Sequence, residues 1–212
     1  MNHDFWKERW RQNEIGFHLD ERHEYLHQFY HRLHVGPKVV FVLLCGKSPD
    51  LIWLRQQGAR VLGVELSEIA VSDFFRENNF SGEVDSIDGF GRYQVENITL
   101  LCGDFFELTK SHLDAVRGVY DRGALVAMPA EMRKEYASHL CRILPVDSRI
   151  LLVSYDYDQQ EVAGPPFSVP MAEIEALFGA AFTLELLAEQ DALPTHNILR
   201  QRGVRRDFES SR

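Results

Sequence analysis

Residues Lys38 to Leu44 read KVVFVLL, a short, unbroken run of apolar, mostly β-branched side chains. A strand with one wet face alternates apolar and polar residues, whereas a strand apolar at every position must be covered on both faces. The run therefore predicts a central strand of a parallel sheet with helices above and below. Gly36-Pro37 stops the helical pattern before it. Asp50 to Gln57 is a helical pattern ended by Gly58, and Arg60 to Val64 is a second strand closing at Glu65. Strand, helix, strand in about thirty residues is a βαβ unit.

The alternation continues. Ser67 caps a helix running to about Asn78, Ile98 to Cys102 is a strand, and Gly118 to Tyr120 is a short strand ending at Asp121. A helix from Ala130 to Leu144, a strand from Arg149 to Tyr155, a helix from Met171 to Phe178 and a strand from Phe182 to Ala188 follow. This order predicts an α/β fold, a doubly wound, mostly parallel sheet with helices on both faces. The chain has 212 residues without repeats or Gly/Ser linkers, so one domain spanning 1–212 is expected. From Asp4 to His34, Phe5, Trp6, Trp10, Phe17, Leu26, Phe29, Tyr30 and Leu33 recur at helical spacings among charges, which predicts two amphipathic helices split near Gly16.

Composition narrows the function classes. With 32 Asp+Glu against 23 Lys+Arg the formal charge is -9. That balance argues against holding nucleic acid by blanket phosphate neutralisation, which needs a basic face. The longest apolar run, Val39 to Cys45, is far short of the roughly 20 residues that span a bilayer, and the N-terminus lacks a basic stretch followed by an apolar one. A cytoplasmic monomer without membrane or nucleic-acid partners is expected. Cys45, Cys102 and Cys141 lack CxxC spacing and read as reduced core thiols. His23, His27 and His31 recur every four residues, a spacing that can bind metal, but without a matching carboxylate or cysteine set they read as solvated, and no metal is expected.

In open α/β sheets, ligands bind beyond the carboxyl ends of the strands. The residues there are Leu44 to Ser48, Glu65 to Ser67, Gly103 to Phe105 and Asp121 to Gly123. Glu65, about twenty residues after the first βα turn, is placed to accept hydrogen bonds from the vicinal hydroxyls of a ribose. The alternative is a solvated strand end whose charge meets the dipole of the helix after Ser67. The turn Cys45-Gly46-Lys47-Ser48 is too poor in glycine for a dinucleotide fingerprint. A Walker A loop fails as well, since GxxxxGK[ST] needs glycine where Phe41 stands. What remains is an adenosine ligand without a phosphate chain, a description that S-adenosyl-L-methionine meets. Leu44 would face its methionine part and Gly103-Asp104 its adenine, although Asp104 is equally placed to cap the next helical turn.

Five ordered blocks resemble the thiopurine S-methyltransferases, particularly the bacterial members. They are Phe5 to Trp10 (FWKERW), Leu44 to Lys47 (LCGK), Gly63 to Ser67 (GVELS), Tyr120 to Ala127 (YDRGALVA) and Gly164 to Pro170 (GPPFSVP). The resemblance implies a class I methyltransferase-like core with an N-terminal helical lid over residues 1–35. It further implies methyl transfer from S-adenosyl-L-methionine to a small thiol, with selenium or tellurium compounds as further acceptors. By position it assigns Trp10, Leu44, Glu65 and Arg122 to cofactor or active-site contacts. Arg122 is the expected catalytic residue, favouring a thiolate over a thiol; from the sequence alone it could equally pair with Asp121. Family members end in an apolar strand, whereas Arg200 to Arg212 here is strongly charged.

Trp10 and Phe17 could fold over the mouth and set aromatic faces beside a sulfonium, or could simply pack a helix onto the sheet. No paired His and carboxylate stands at the strand ends, and none is obligatory for an acceptor already present as thiolate. A non-catalytic adenosine-ligand sensor on the same fold is the alternative to an enzyme. An NAD-dependent oxidoreductase is disfavoured by the glycine-poor turn.

Overall fold

The computed structural model describes residues 3–36 and 38–191. Among them, seven strands form one sheet in the order β3-β4-β5-β2-β1-β6-β7. These are β1 (Val39–Val42), β2 (Arg60–Glu65), β3 (Glu83–Ile87), β4 (Phe90–Val95), β5 (Ile98–Cys102), β6 (Val116–Asp121) and β7 (Arg149–Leu152). β1 pairs in parallel with β2 and β6, β2 with β5, and β6 with β7, while β3-β4 and β4-β5 are antiparallel. The chain moves outward from β1 through β2 and β5, then returns to place β6 on its other side. That reversal beside β1 is where such a sheet opens a crevice.

All four residues of β1 are buried. Successive side chains leave a strand on opposite faces, so Val39 and Phe41 join one core layer while Val40 and Val42 join the other. The first layer is covered by α5 (Ala130–Ile143) and α6 (Met171–Phe178), through Leu140 and Phe178 among others. The second is covered by α2 (Glu24–Phe29), α3 (Asp50–Gln56) and α4 (Glu68–Glu77), through Leu26, Leu54 and Phe74. α4 starts where expected: Ser67 Oγ accepts from Ala70 N, and Val71, Phe74 and Phe75 then turn one buried stripe inward. α1 (His3–Arg11) lies apart from these layers and buries Trp10.

Two regions depart from the sequence reading. The β3-β4 hairpin is an addition, turning on Asp88 and Gly89 with φ of 48° and 89°. That Asp-Gly pair between two short runs is the turn signal that could have found it. Conversely, Phe182 to Ala188 carries no strand. Its inward residues Phe182, Leu184 and Leu187 pack on the core, and Glu185 pairs with Arg32, but no backbone ladder forms with another described residue. The charged stretch Arg200 to Arg212 lies outside the described residues. No helix among the described residues is long and apolar enough to cross a membrane.

Candidate active site

The turn after β1 builds the floor of the site. Leu44 takes a left-handed φ of 43°, unusual for a residue with a side chain, and Gly46 follows at 53°. A Cβ at Gly46 would sit 3.1 Å from the Trp10 ring, so glycine lets α1 close against the turn. Gly63 has a similar role beneath it, because a Cβ there would meet Cys45 Sγ at 2.7 Å.

Glu65 ends β2 beside this turn with 6% of its surface exposed. Its Oε2 accepts from Gly46 N and its Oε1 from Ser67 N, each at 2.8 Å. Burial raises its pKa above the ordinary 4.5, and these backbone donors pull back against that rise. The Gly46 N–H, which in a phosphate-binding loop would meet an anion, is thus already taken by the protein's own carboxylate. A phosphate chain has no place there, in keeping with the failed Walker A and dinucleotide patterns.

Asp121 and Arg122 end β6 on the other side of β1. Asp121 is buried and engaged by Tyr136 Oη at 2.6 Å and by the N–H groups of Gly123, Ala124 and Leu125. It forms no ion pair with its neighbour. Arg122 turns the other way, donates from Nη1 to the Phe17 carbonyl at 3.2 Å, and faces no carboxylate within ion-pair distance among the described residues. Its guanidinium stands over the cleft.

That cleft encloses about 360 Å³ between the ends of β2, β1 and β6 and the N-terminal segment. Trp10, Phe17, Leu44, Glu65 and Arg122 all line it, so the structure brings together five of the expected residues. Trp6 and Trp10 meet Phe17 edge-on at 5.6 and 5.7 Å between ring centroids, forming an aromatic wall. Gly103 and Asp104 do not line the cleft. Gly103 N donates to the Glu65 carbonyl, and Asp104 caps the turn at Phe106 while meeting His3 Nε2 at 2.9 Å. Both support the wall, Gly103 through β2 and Asp104 through α1.

Other lining residues were given no site role from the sequence. Tyr120 is 1% exposed, and its hydroxyl lies between the Asp50 carboxylate and the Arg122 guanidinium. Burial, then the Asp50 carboxylate, push its phenol well above the usual range, with Arg122 opposing. Asp50, buried at the start of α3, accepts from His23 N at 2.8 Å. His18, Tyr155 and Pro165-Pro166 complete the mouth. Cys45 also lines the cleft, but burial and then Glu65 raise its thiol well above the ordinary range, so it is no nucleophile at neutral pH.

The expected histidine stripe is divided. His23 caps α2 through Nδ1, His27 packs edge-on to Trp53, and His31 lies in the short 3-10 turn Tyr30–Leu33.

Comparisons with known proteins agree with this architecture. The family described as Thiopurine S-methyltransferase (TPMT) matches residues 1–211. A Thiopurine S-methyltransferase of Nitrosospira multiformis is 51% identical over 211 residues, covering 99% of this chain and 96% of that protein. One from Pseudomonas aeruginosa is 50% identical over 205 residues, covering 96% and 94%. Among solved structures, a SAM-dependent methyltransferase from Anabaena variabilis superposes with a TM-score of 0.63 at 15% identity, over 84% of this chain and 80% of that one. The 1,6-didemethyltoxoflavin-N1-methyltransferase of Burkholderia thailandensis, solved with S-adenosylhomocysteine, gives 0.57 at 17% identity, over 84% and 75%. These two likenesses show the fold, that of the class I methyltransferases. The chain belongs to the thiopurine S-methyltransferase family, enzymes that draw their methyl group from S-adenosyl-L-methionine.

Proposed function

We propose that the protein transfers the methyl group of S-adenosyl-L-methionine to the sulfur of small aromatic or heterocyclic thiols such as thiopurines, with selenium or tellurium compounds as further acceptors, in a detoxifying role. It acts as a cytoplasmic monomer on small molecules, the whole chain forming one domain and residues 1–35 its lid. The carrying observation is that a buried carboxylate at the end of β2 and a guanidinium just past β6, without a carboxylate partner among the described residues, flank one aromatic-walled cleft.

Glu65 has about four lone-pair sites, of which Gly46 and Ser67 take two, leaving acceptors for the ribose hydroxyls. The donor supplies a methyl group on a sulfonium, whose departure needs no protonation. Trp10 and Phe17 present rings to that cation and exclude water. Arg122 lowers the pKa of an acceptor thiol by its charge and holds the thiolate in line.

The test is turnover of labelled S-adenosyl-L-methionine against aryl thiols, thiopurines and selenite. Labelled methyl sulfides with matching S-adenosylhomocysteine are expected. Tight binding of the methyl donor without turnover of any acceptor would identify a sensor instead.

A further inference from the structure

We infer that His18 is a general base of the reaction, taking the proton of an acceptor thiol that reaches the cleft un-ionised. The inference rests on the methyl-transfer reading above and extends its acceptors from preformed thiolates to weakly acidic thiols.

His18 follows α1 in the segment that closes the cleft, and its side chain lines the same cleft as Arg122. The two are tied through the backbone, because Arg122 Nη1 donates to the carbonyl of Phe17, the residue before His18. The His18 N–H donates to the Ile15 carbonyl at 2.7 Å, which fixes the turn presenting the ring. The side chain is 17% exposed, and neither ring nitrogen makes a hydrogen bond among the described residues. Its Nε2 stands 4.0 Å from Asp20 Oδ1, at the solvent-exposed rim.

The surrounding charges favour a neutral, proton-accepting ring. Lys47 faces it from the β1 turn, paired with Glu77 of α4 at 2.7 Å, while Arg122 faces it from just past β6 and Asp20 from its own segment. Arg9 and Glu14, which also line the cleft, neutralise each other at 2.8 Å, and Tyr155 lies on the far wall. Burial first, then Lys47, hold the imidazole below its ordinary 6.5, with Arg122 adding and Asp20 and Glu77 opposing. Arg122 also lowers the pKa of a bound thiol. Base and acid therefore shift in the same direction, so the lowered imidazole is not left further from the thiol by the same charges.

The step balances without a further reactant. The thiol S–H bond breaks and its proton moves to a ring nitrogen of His18. The electron pair left on that sulfur forms the new S–CH3 bond, while the old S–CH3 bond breaks and its pair stays on the donor's sulfur, cancelling the sulfonium charge. His18 then releases the proton to solvent at the Asp20 rim. Thiol and donor become methyl sulfide, demethylated donor and one proton.

The experiment compares phenylmethanethiol, un-ionised near neutrality, with 4-nitrobenzenethiol, ionised throughout. His18→Gln should lower kcat/KM about 100-fold on phenylmethanethiol and at least about tenfold less on 4-nitrobenzenethiol. Added imidazole should restore His18→Ala on phenylmethanethiol. The wild-type protein tests the same point without a variant. Its kcat/KM for phenylmethanethiol should be flat between about pH 7 and about pH 8, whereas reaction of preformed thiolate alone would raise it about tenfold per pH unit. That rise, or equal losses on the two thiols, overturns the role of His18 and leaves the methyl-transfer reading standing. Absence of wild-type turnover on both thiols overturns both.

Discussion

Glu65 and Asp121 end two strands that flank β1, both nearly buried and both pushed above the ordinary carboxylate range by that burial. Their partners separate them. Asp121 is consumed by Tyr136 and three consecutive N–H groups, so its charge holds the loop after β6 and does nothing else. Glu65 spends one oxygen on each of two N–H groups and keeps its remaining acceptors at the cleft. An acid at a strand end thus becomes a loop anchor or a ligand acceptor according to what its last lone pairs face. The same division frees Arg122: its neighbour in sequence is fully engaged on the opposite side, and the guanidinium is left for the cleft.

The largest expected effect breaks the anchor. Asp121→Ala should cost about 3 to 5 kcal/mol by stranding several buried donors, read as a melting temperature lower by on the order of 10 °C. Next, Glu65→Ala should weaken S-adenosyl-L-methionine binding by about 1.5 to 3 kcal/mol in calorimetry, with a smaller fall in melting temperature than Asp121→Ala gives. If the two variants lose stability and affinity in equal measure, the distinction between anchor and acceptor fails. Trp10→Ala should weaken donor affinity by about 0.5 to 2 kcal/mol, and unchanged affinity would reduce the aromatic wall to packing.

The smallest effect is on pH dependence. Because Glu65 titrates above 4.5 when folded, its contribution to stability is present at low pH and is lost as pH rises through that raised value. Donor binding runs the other way, since the ionised carboxylate accepts the hydroxyls. Affinity should therefore fall by less than about 1 kcal/mol as the solution is acidified towards that pKa, and Glu65→Gln should flatten the curve.

The central sheet was legible because burial on both faces leaves an unbroken apolar run, as in Val39–Val42, and because Ser67 and Gly58 mark helix ends by local chemistry. β3 and β4 were not, since an edge hairpin with four exposed residues in β3 carries charges where a core strand carries valine. Phe182 to Ala188 differs for the opposite reason: it has a strand's pattern without a strand partner among the described residues. In the site, Glu65, Leu44 and Arg122 stood at strand ends, where topology alone points. His18 and Asp50 gave no signal because their places depend on the N-terminal segment lying across residues far along the chain.

The Phe17–Arg122 hydrogen bond spans 105 positions. A ribosome delivers the roof of this pocket first and the groups it must rest on much later, the Pro165-Pro166 rim later still. The opening segment has nothing to dock against until most of the polypeptide has emerged. Catalytic competence is consequently a late property of biosynthesis, and a chain stalled short of β6 would carry the aromatic cover with no pocket beneath it.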